Sequence, residues 1–225
     1  MSALMSGMIQ RPSPNHDARN ATIDMLVLHY TGMQSAAAAL ERLCDPEAKV
    51  SSHYTIDEDG TVYAHVPEAR RAWHAGVSHW AGVDNVNARA IGIELVNPGH
   101  EWGYRAFPQA QVSALIRLAH GIVMRHPIAT SQVLGHSDVA PTRKEDPGEL
   151  FPWEKLAQAG IGLWPSAIQS DIGPDALIRY GYDPKAPLDK VITAFQRHFR
   201  PSKLDGEWDS ECAQLLASLI RQAGV

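Results

Sequence analysis

Two short apolar runs constrain the fold of this chain more than any other feature. "IDMLVLHYT" at residues 23–31 and "AIGIELVNPG" at residues 90–99 are rich in isoleucine, leucine and valine and end in polar residues. Runs of this length and composition read as buried strands. Buried strands need helices to cover them, and the sequence supplies candidates. "SAAAALERLC" at residues 35–44 combines a serine cap with helix formers, and "FPQAQVSALIRLAHGIVMRH" at residues 107–126 has apolar spacing of helical period. "SSHYTIDEDGTVYAHVP", residues 51–67, is two alternating runs joined around Asp59 and Gly60, the signal of a hairpin. "SQVLGH" adds a last short strand. Strands interleaved with helices predict an α/β fold with a mixed central sheet flanked by helices.

The pattern breaks at "GIGLWPSAIQSDIGPD", residues 160–175, where glycine, proline and small polar residues replace any periodicity. Beyond it, "DALIRYGYD", "LDKVITAFQRHF" and "WDSECAQLLASLIRQ" predict three short helices. The chain is therefore expected to divide into a larger α/β domain, residues 1–165, and a linker with a small three-helix domain, residues 166–225.

A formal net charge of -5 provides no basic field, so nucleic acid is not an expected partner. No run approaches the ~20 apolar residues that span a bilayer, and a monomer is expected. Cys44 and Cys212 lie far apart in different helical patterns and read as reduced thiols. The first twenty residues lack a basic segment followed by an apolar run, which leads to the expectation of a cytoplasmic protein, or of one from the cell envelope whose leader has been removed.

Several ionisable residues occur where packing alone gives no reason for them. Glu94 interrupts a strand of isoleucine, leucine and valine. It either turns to solvent or an Arg89 ion pair, or it is a carboxyl of raised pKa suited to general-base work. His29 and His136 each stand where a predicted strand meets its loop. Two such histidines with one carboxylate make a three-ligand zinc site with an open position, the third ligand being Asp138 or Asp146. Both aspartates belong to "GHSDVAPTRKEDPG", residues 135–148, read as a loop without regular structure that Pro141 and Pro147 stiffen. Lys144 lies two residues from Asp146; in an extended segment both point the same way, which sets a cation beside the metal to stabilise an oxyanion.

With those residues in view, "LHYT", "SSHYTIDEDG", "AWHAGVSHW", "IGIELVNPG" and "GHSDVAPTRKEDPGELFPWEKL" resemble, in order, the signatures of zinc-dependent N-acetylmuramoyl-L-alanine amidases of the AmpD/AmiD type, whose fold is shared with peptidoglycan recognition proteins. The resemblance runs from about Met25 to Pro165. The last segment is similar to the small three-helix peptidoglycan-binding domain of AmiD-type members.

The resemblance implies zinc ligation by His29, His136 and Asp146, with Glu94 as general base and Lys144 next to the scissile carbonyl. It also implies substrate contacts for Trp73, His74, Asn87 and Arg89, a structural or supporting role for His53, and peptidoglycan or a muropeptide as substrate. The rival from another class is a protein of the same fold that binds peptidoglycan fragments without cutting them. The presence of every ligand and of the base favours the enzyme.

Overall fold

The two apolar runs are hydrogen-bonded neighbours at the centre of a sheet, in a computed structural model that describes residues 7–225. The strands are β1 (Ile9–Gln10), β2 (His16–Ala18), β3 (Met25–Tyr30), β4 (Tyr54–Ile56), β5 (Val62–Ala64), β6 (Arg70–Ala72), β7 (Ala90–Leu95) and β8 (Val133–Gly135). Six of them form one sheet in the order β1-β5-β4-β7-β3-β8, and β2 pairs with β6 separately. Only the hairpin pair β4–β5 of the large sheet is antiparallel, so the sheet is mixed as expected. The helices are α1 (Ala36–Cys44), α2 (Val86–Arg89), α3 (Gly99–Trp102), α4 (Gln109–Arg125), α5 (His136–Val139), α6 (Trp153–Gln158), α7 (Ala176–Tyr180), α8 (Leu188–Phe199) and α9 (Ser210–Ala223).

Alternation along the strands sorts their side chains between two cores. Leu26, Leu28, Ile91, Ile93 and Leu95 share one cluster with Leu115, Leu118 and Ile122 of α4. Met25, Val27, Ala90 and Leu134 share the other with Leu177, Phe195 and Leu216 of α7, α8 and α9. The C-terminal helices therefore cover the second face of the same sheet. Their sequences explain their limits: Pro187 precedes α8, and the Asp209 side chain accepts from Cys212 N at 3.0 Å to cap α9.

Three features depart from the sequence expectation. β1, β2 and β6 are two or three residues long and carry no readable pattern. The short helices α2, α3 and α6 were not foreseen. The loop that follows β8 opens with one helical turn, α5, where no regular structure was expected. The turn forms because the Asp138 carboxylate accepts from Gly135 N at 2.7 Å. Among the described residues no helix is long and apolar enough to cross a membrane. The leader expectation rests partly on residues 1–6, outside the described residues.

Candidate metal centre and catalytic cleft

The register of the parallel strands builds the site. His29 of β3 is the direct partner of Glu94 of β7, so both side chains leave the same face near the strands' carboxyl ends. Gly135 of β8 is the partner of Leu28, which delivers His136 at the level of His29 as the chain leaves the sheet. The loop then returns Asp146 to the same place, tied down by Ser137 N donating to its carbonyl at 2.9 Å.

His29 Nδ1 and His136 Nδ1 lie 3.0 Å apart, and each is 3.0 Å from Asp146 Oδ2. A tetrahedral zinc with bonds near 2.0–2.1 Å sets its ligand atoms roughly 3.3 Å from one another. The buried triangle of two imidazole nitrogens and a carboxylate oxygen therefore fits a metal ion. The remaining nitrogens of both histidines are engaged: His136 Nε2 donates to Ala75 O at 3.1 Å, and His29 Nε2 lies 3.0 Å from His74 Nδ1. Those bonds leave the two Nδ1 lone pairs directed inward.

Electrostatics point the same way. Burial, reinforced by the neighbouring His136, pushes His29 down to about 4, so its ring is neutral and free to donate a lone pair at ordinary pH. Burial opposes ionisation of Asp146, but the charge and hydrogen bonds of His136 and His29 outweigh it and hold the carboxyl below its usual range.

Glu94 moves in the other direction. Burial first, and the Asp146 carboxylate second, raise it well above the usual carboxylate range, with the Lys144 charge acting against them. Its Oε2 is buried and has no hydrogen-bond partner among the described residues. This is neither a solvated glutamate nor the partner of Arg89, which pairs with Asp24 instead.

A cavity of about 460 Å³ opens over these groups, lined among others by Tyr30, His74, Glu94, His136, Lys144 and Asp146. Of the four residues expected to touch substrate, His74 alone lines it. Asn87 lies behind the cavity, where its Oδ1 accepts from the backbone of His74 and Ala75 at 3.1 and 2.8 Å. Trp73 donates through Nε1 to Asp17 at 3.3 Å, outside the lining. Arg89 grips Asp24 just before β3 begins, at the end of the strand away from His29. Each has a polar partner of its own.

His53 is buried and accepts from Gly92 N at 2.9 Å, which braces β7 in the supporting role expected of it. Asp138 is fully buried and bonds to Tyr182 and His198, apart from the His29, His136 and Asp146 triangle. The bonds to Tyr182 and His198 were not foreseen; the partners lie 44 and 60 residues downstream and no spacing rule links them.

Comparison with known proteins joins this geometry to a family. A sequence profile described as N-acetylmuramoyl-L-alanine amidase matches residues 19–149, which include both histidines, Glu94, Lys144 and Asp146. The chain belongs to the N-acetylmuramoyl-L-alanine amidase family.

Among its relatives, the amidase AmiD of Escherichia coli strain K12 is 38% identical, over 90% of this chain and 84% of AmiD. The solved structure of E. coli AmiD, described as a complex with the substrate anhydro-N-acetylmuramic acid-L-Ala-D-gamma-Glu-L-Lys, superposes with a TM-score of 0.80 over 92% of this chain and 93% of that one. AmpDh3 of Pseudomonas aeruginosa gives a TM-score of 0.82 at 33% identity, over 90% and 93% of the two chains. These structures share the mixed sheet flanked by helices. The chain is an amidase, and α7, α8 and α9 lie beyond the residues that the family profile matches.

Proposed function

We propose that this amidase uses zinc to hydrolyse the amide bond between N-acetylmuramic acid, or its anhydro form, and the L-alanine of the peptidoglycan stem peptide, in cell-wall turnover or recycling. The observation that carries the reading is the convergence of His29 Nδ1, His136 Nδ1 and Asp146 Oδ2 at the floor of a cavity that His136, Asp146 and the buried Glu94 line. The substrate class is supported by relatives: the E. coli AmiD structure is described with an anhydro-muropeptide, and an AmpDh3 structure with an anhydromuramic pentapeptide.

In this reading His29, His136 and Asp146 hold the zinc, with His74 and the Ala75 carbonyl fixing the tautomers of the two imidazoles. Zinc, when bound, supplies Lewis acidity that polarises a carbonyl and acidifies water. Glu94 takes the proton of the attacking water and returns it to the L-alanine nitrogen as the C–N bond breaks. Burial raises its pKa above the usual carboxylate range, which makes the carboxylate a stronger base than a solvated glutamate. Lys144 brings a positive charge to the oxyanion that forms when water adds to the carbonyl carbon. The C-terminal unit, residues 166–225, adds affinity for peptidoglycan, a role supported by its resemblance to peptidoglycan-binding domains.

Chelation abolishes release of stem peptide from muropeptides and added zinc restores it. Glu94→Gln retains stoichiometric zinc and loses ~10²–10⁴-fold in turnover, the usual worth of a general base. Mass spectrometry of products from intact sacculi and from anhydro-muropeptides reads the bond cut and the substrate together. Full turnover in Glu94→Gln, or cleavage by metal-free protein, would remove the mechanism.

A further inference from the structure

The carboxylate of Asp138 is a junction between the metal-binding turn and the C-terminal helices. It is fully buried. Its Oδ2 accepts from Gly135 N and from His198 Nδ1, both at 2.7 Å, and its Oδ1 accepts from the Tyr182 hydroxyl at 2.9 Å. The first bond closes α5, whose first residue is His136. The other two come from α8 and from the segment just after α7. His198 is itself held flat between Trp153 and Phe199, with ring centroids 3.7 and 3.8 Å away, so its donor has a fixed direction.

A second route reaches His136 from the same helices. Ala81 N donates to Gly181 O at 2.8 Å, and the buried Trp80 packs so closely on Gly181 that a Cβ there would come within 2.7 Å of the indole. His79 N donates to Val139 O at 2.8 Å. The loop held by these contacts carries Ala75, whose carbonyl accepts from His136 Nε2. Both the backbone turn and the ring orientation of His136 are therefore referred to the C-terminal helices.

We propose that Asp138 is a positioning residue, through which Tyr182 and His198 use the C-terminal helices to hold His136 in its ligating geometry. The proposal rests on the zinc-amidase reading above. It gives the helical unit a part in building the metal centre, in addition to any hold on the polymer. A carboxylate with three donors aimed at it has a single orientation, and the turn it caps inherits that orientation.

The test compares the full-length protein with Tyr182→Phe and His198→Phe. Each removes one donor and keeps an aromatic ring in place. Leu115→Ala on α4, buried in the other core, serves as a control for lost stability alone. Three quantities are read: melting temperature without metal, zinc dissociation constant by competition titration, and the visible spectrum of the cobalt-substituted protein. The expected result is a zinc dissociation constant raised about tenfold in each donor variant, with shifted cobalt bands, as for lost partners of metal ligands elsewhere. On soluble muropeptide, kcat falls while KM is nearly unchanged.

Leu115→Ala melts at a lower temperature with its zinc affinity and cobalt spectrum intact. If both donor variants behave like Leu115→Ala, Asp138 only stabilises the fold and the proposal is wrong. Should Tyr182→Phe fail to fold, His198→Phe decides the matter by the same readings. Wild-type protein that binds no zinc overturns the zinc reading itself, an outcome distinct from tight wild-type binding that the variants leave unchanged.

Discussion

Glu68 and Glu94 are carboxylates drawn toward opposite faces of one sheet, and the protein treats them in opposite ways. Glu68 sits on the α4 side, where the Tyr54 hydroxyl, Arg125 and His126 engage its two oxygens at 2.7–2.8 Å. Glu94 sits on the face that holds His29, and among the described residues its Oε2 has no partner. Burial raises both. At Glu68 the hydrogen bonds win and hold the group at about 2; at Glu94 nothing nearby offsets burial and the Asp146 charge except Lys144. One carboxylate is thus satisfied and serves stability, and the other keeps an oxygen that no described residue engages, on the side of the sheet where the candidate metal ligands lie.

The largest expected effect comes from neighbouring residues of β3 that point to the two faces. His29→Ala removes a ligand from the metal side, so bound zinc falls below stoichiometry and turnover drops by ~10³-fold or more. The metal-free protein should melt within a few degrees of metal-free wild type. Leu28→Ala empties a fully buried position on the other face and costs about 2–5 kcal/mol. For a chain of this size that lowers the melting temperature by roughly 10 °C. Below that temperature it should keep its zinc and its turnover. Atomic absorption and calorimetry on the two variants read the difference, and zinc loss from Leu28→Ala equal to that from His29→Ala would mean the faces are not separable.

How far the sequence could carry this contrast depended on distance along the chain. β3, β7, α1, α4, α8 and α9 were legible because each has an apolar period or a cap long enough to stand out. His29 and His136 were legible from their position at strand ends, and Glu94 because an acid within an apolar run has few innocent explanations. The choice between Asp138 and Asp146 was not available from the residues, because both lie in one loop and differ only in what the folded chain brings to them. Asp138 meets Tyr182 and His198, whereas Asp146 meets His29. Arg89 was misleading for a related reason: its carboxylate partner is Asp24, 65 residues upstream in sequence and beside it only because β3 and β7 pair.

A smaller effect tests how the metal face is supported. Gly92 lies two residues before Glu94 on the same side of β7, and a Cβ at that position would fall 2.5 Å from the His74 ring. His74 has little freedom to withdraw, since its backbone is held by Asn87 and its ring lies against His29. Gly92→Ala should therefore cost about 1–3 kcal/mol in stability and weaken zinc roughly tenfold as the His29–His74 bond is disturbed. Thermal melting and competition titration check both numbers. Unchanged zinc affinity would show that His74 does not orient His29.

The last effect belongs to the satisfied carboxylate, leaves the metal side untouched and depends on pH. The folded Glu68 carboxyl is depressed from 4.5 to about 2, so its ionised form favours the folded state. That contribution is complete above the unfolded value and disappears as pH falls through the folded one. The shift limits it to roughly 3 kcal/mol, and partial solvent access reduces this to about 2 kcal/mol. Glu68→Gln should be less stable than wild type by that amount at pH ~7, with the gap closing between about pH 4.5 and 2. Denaturant unfolding of both proteins without metal, taken as a difference at each pH, isolates the group, because ligand protonation at the metal centre is common to the pair. A gap that stays constant down to low pH would show that the Arg125, His126 and Tyr54 bonds act on Glu68 as packing rather than through its charge, and the two faces would then differ less than their carboxylates suggest.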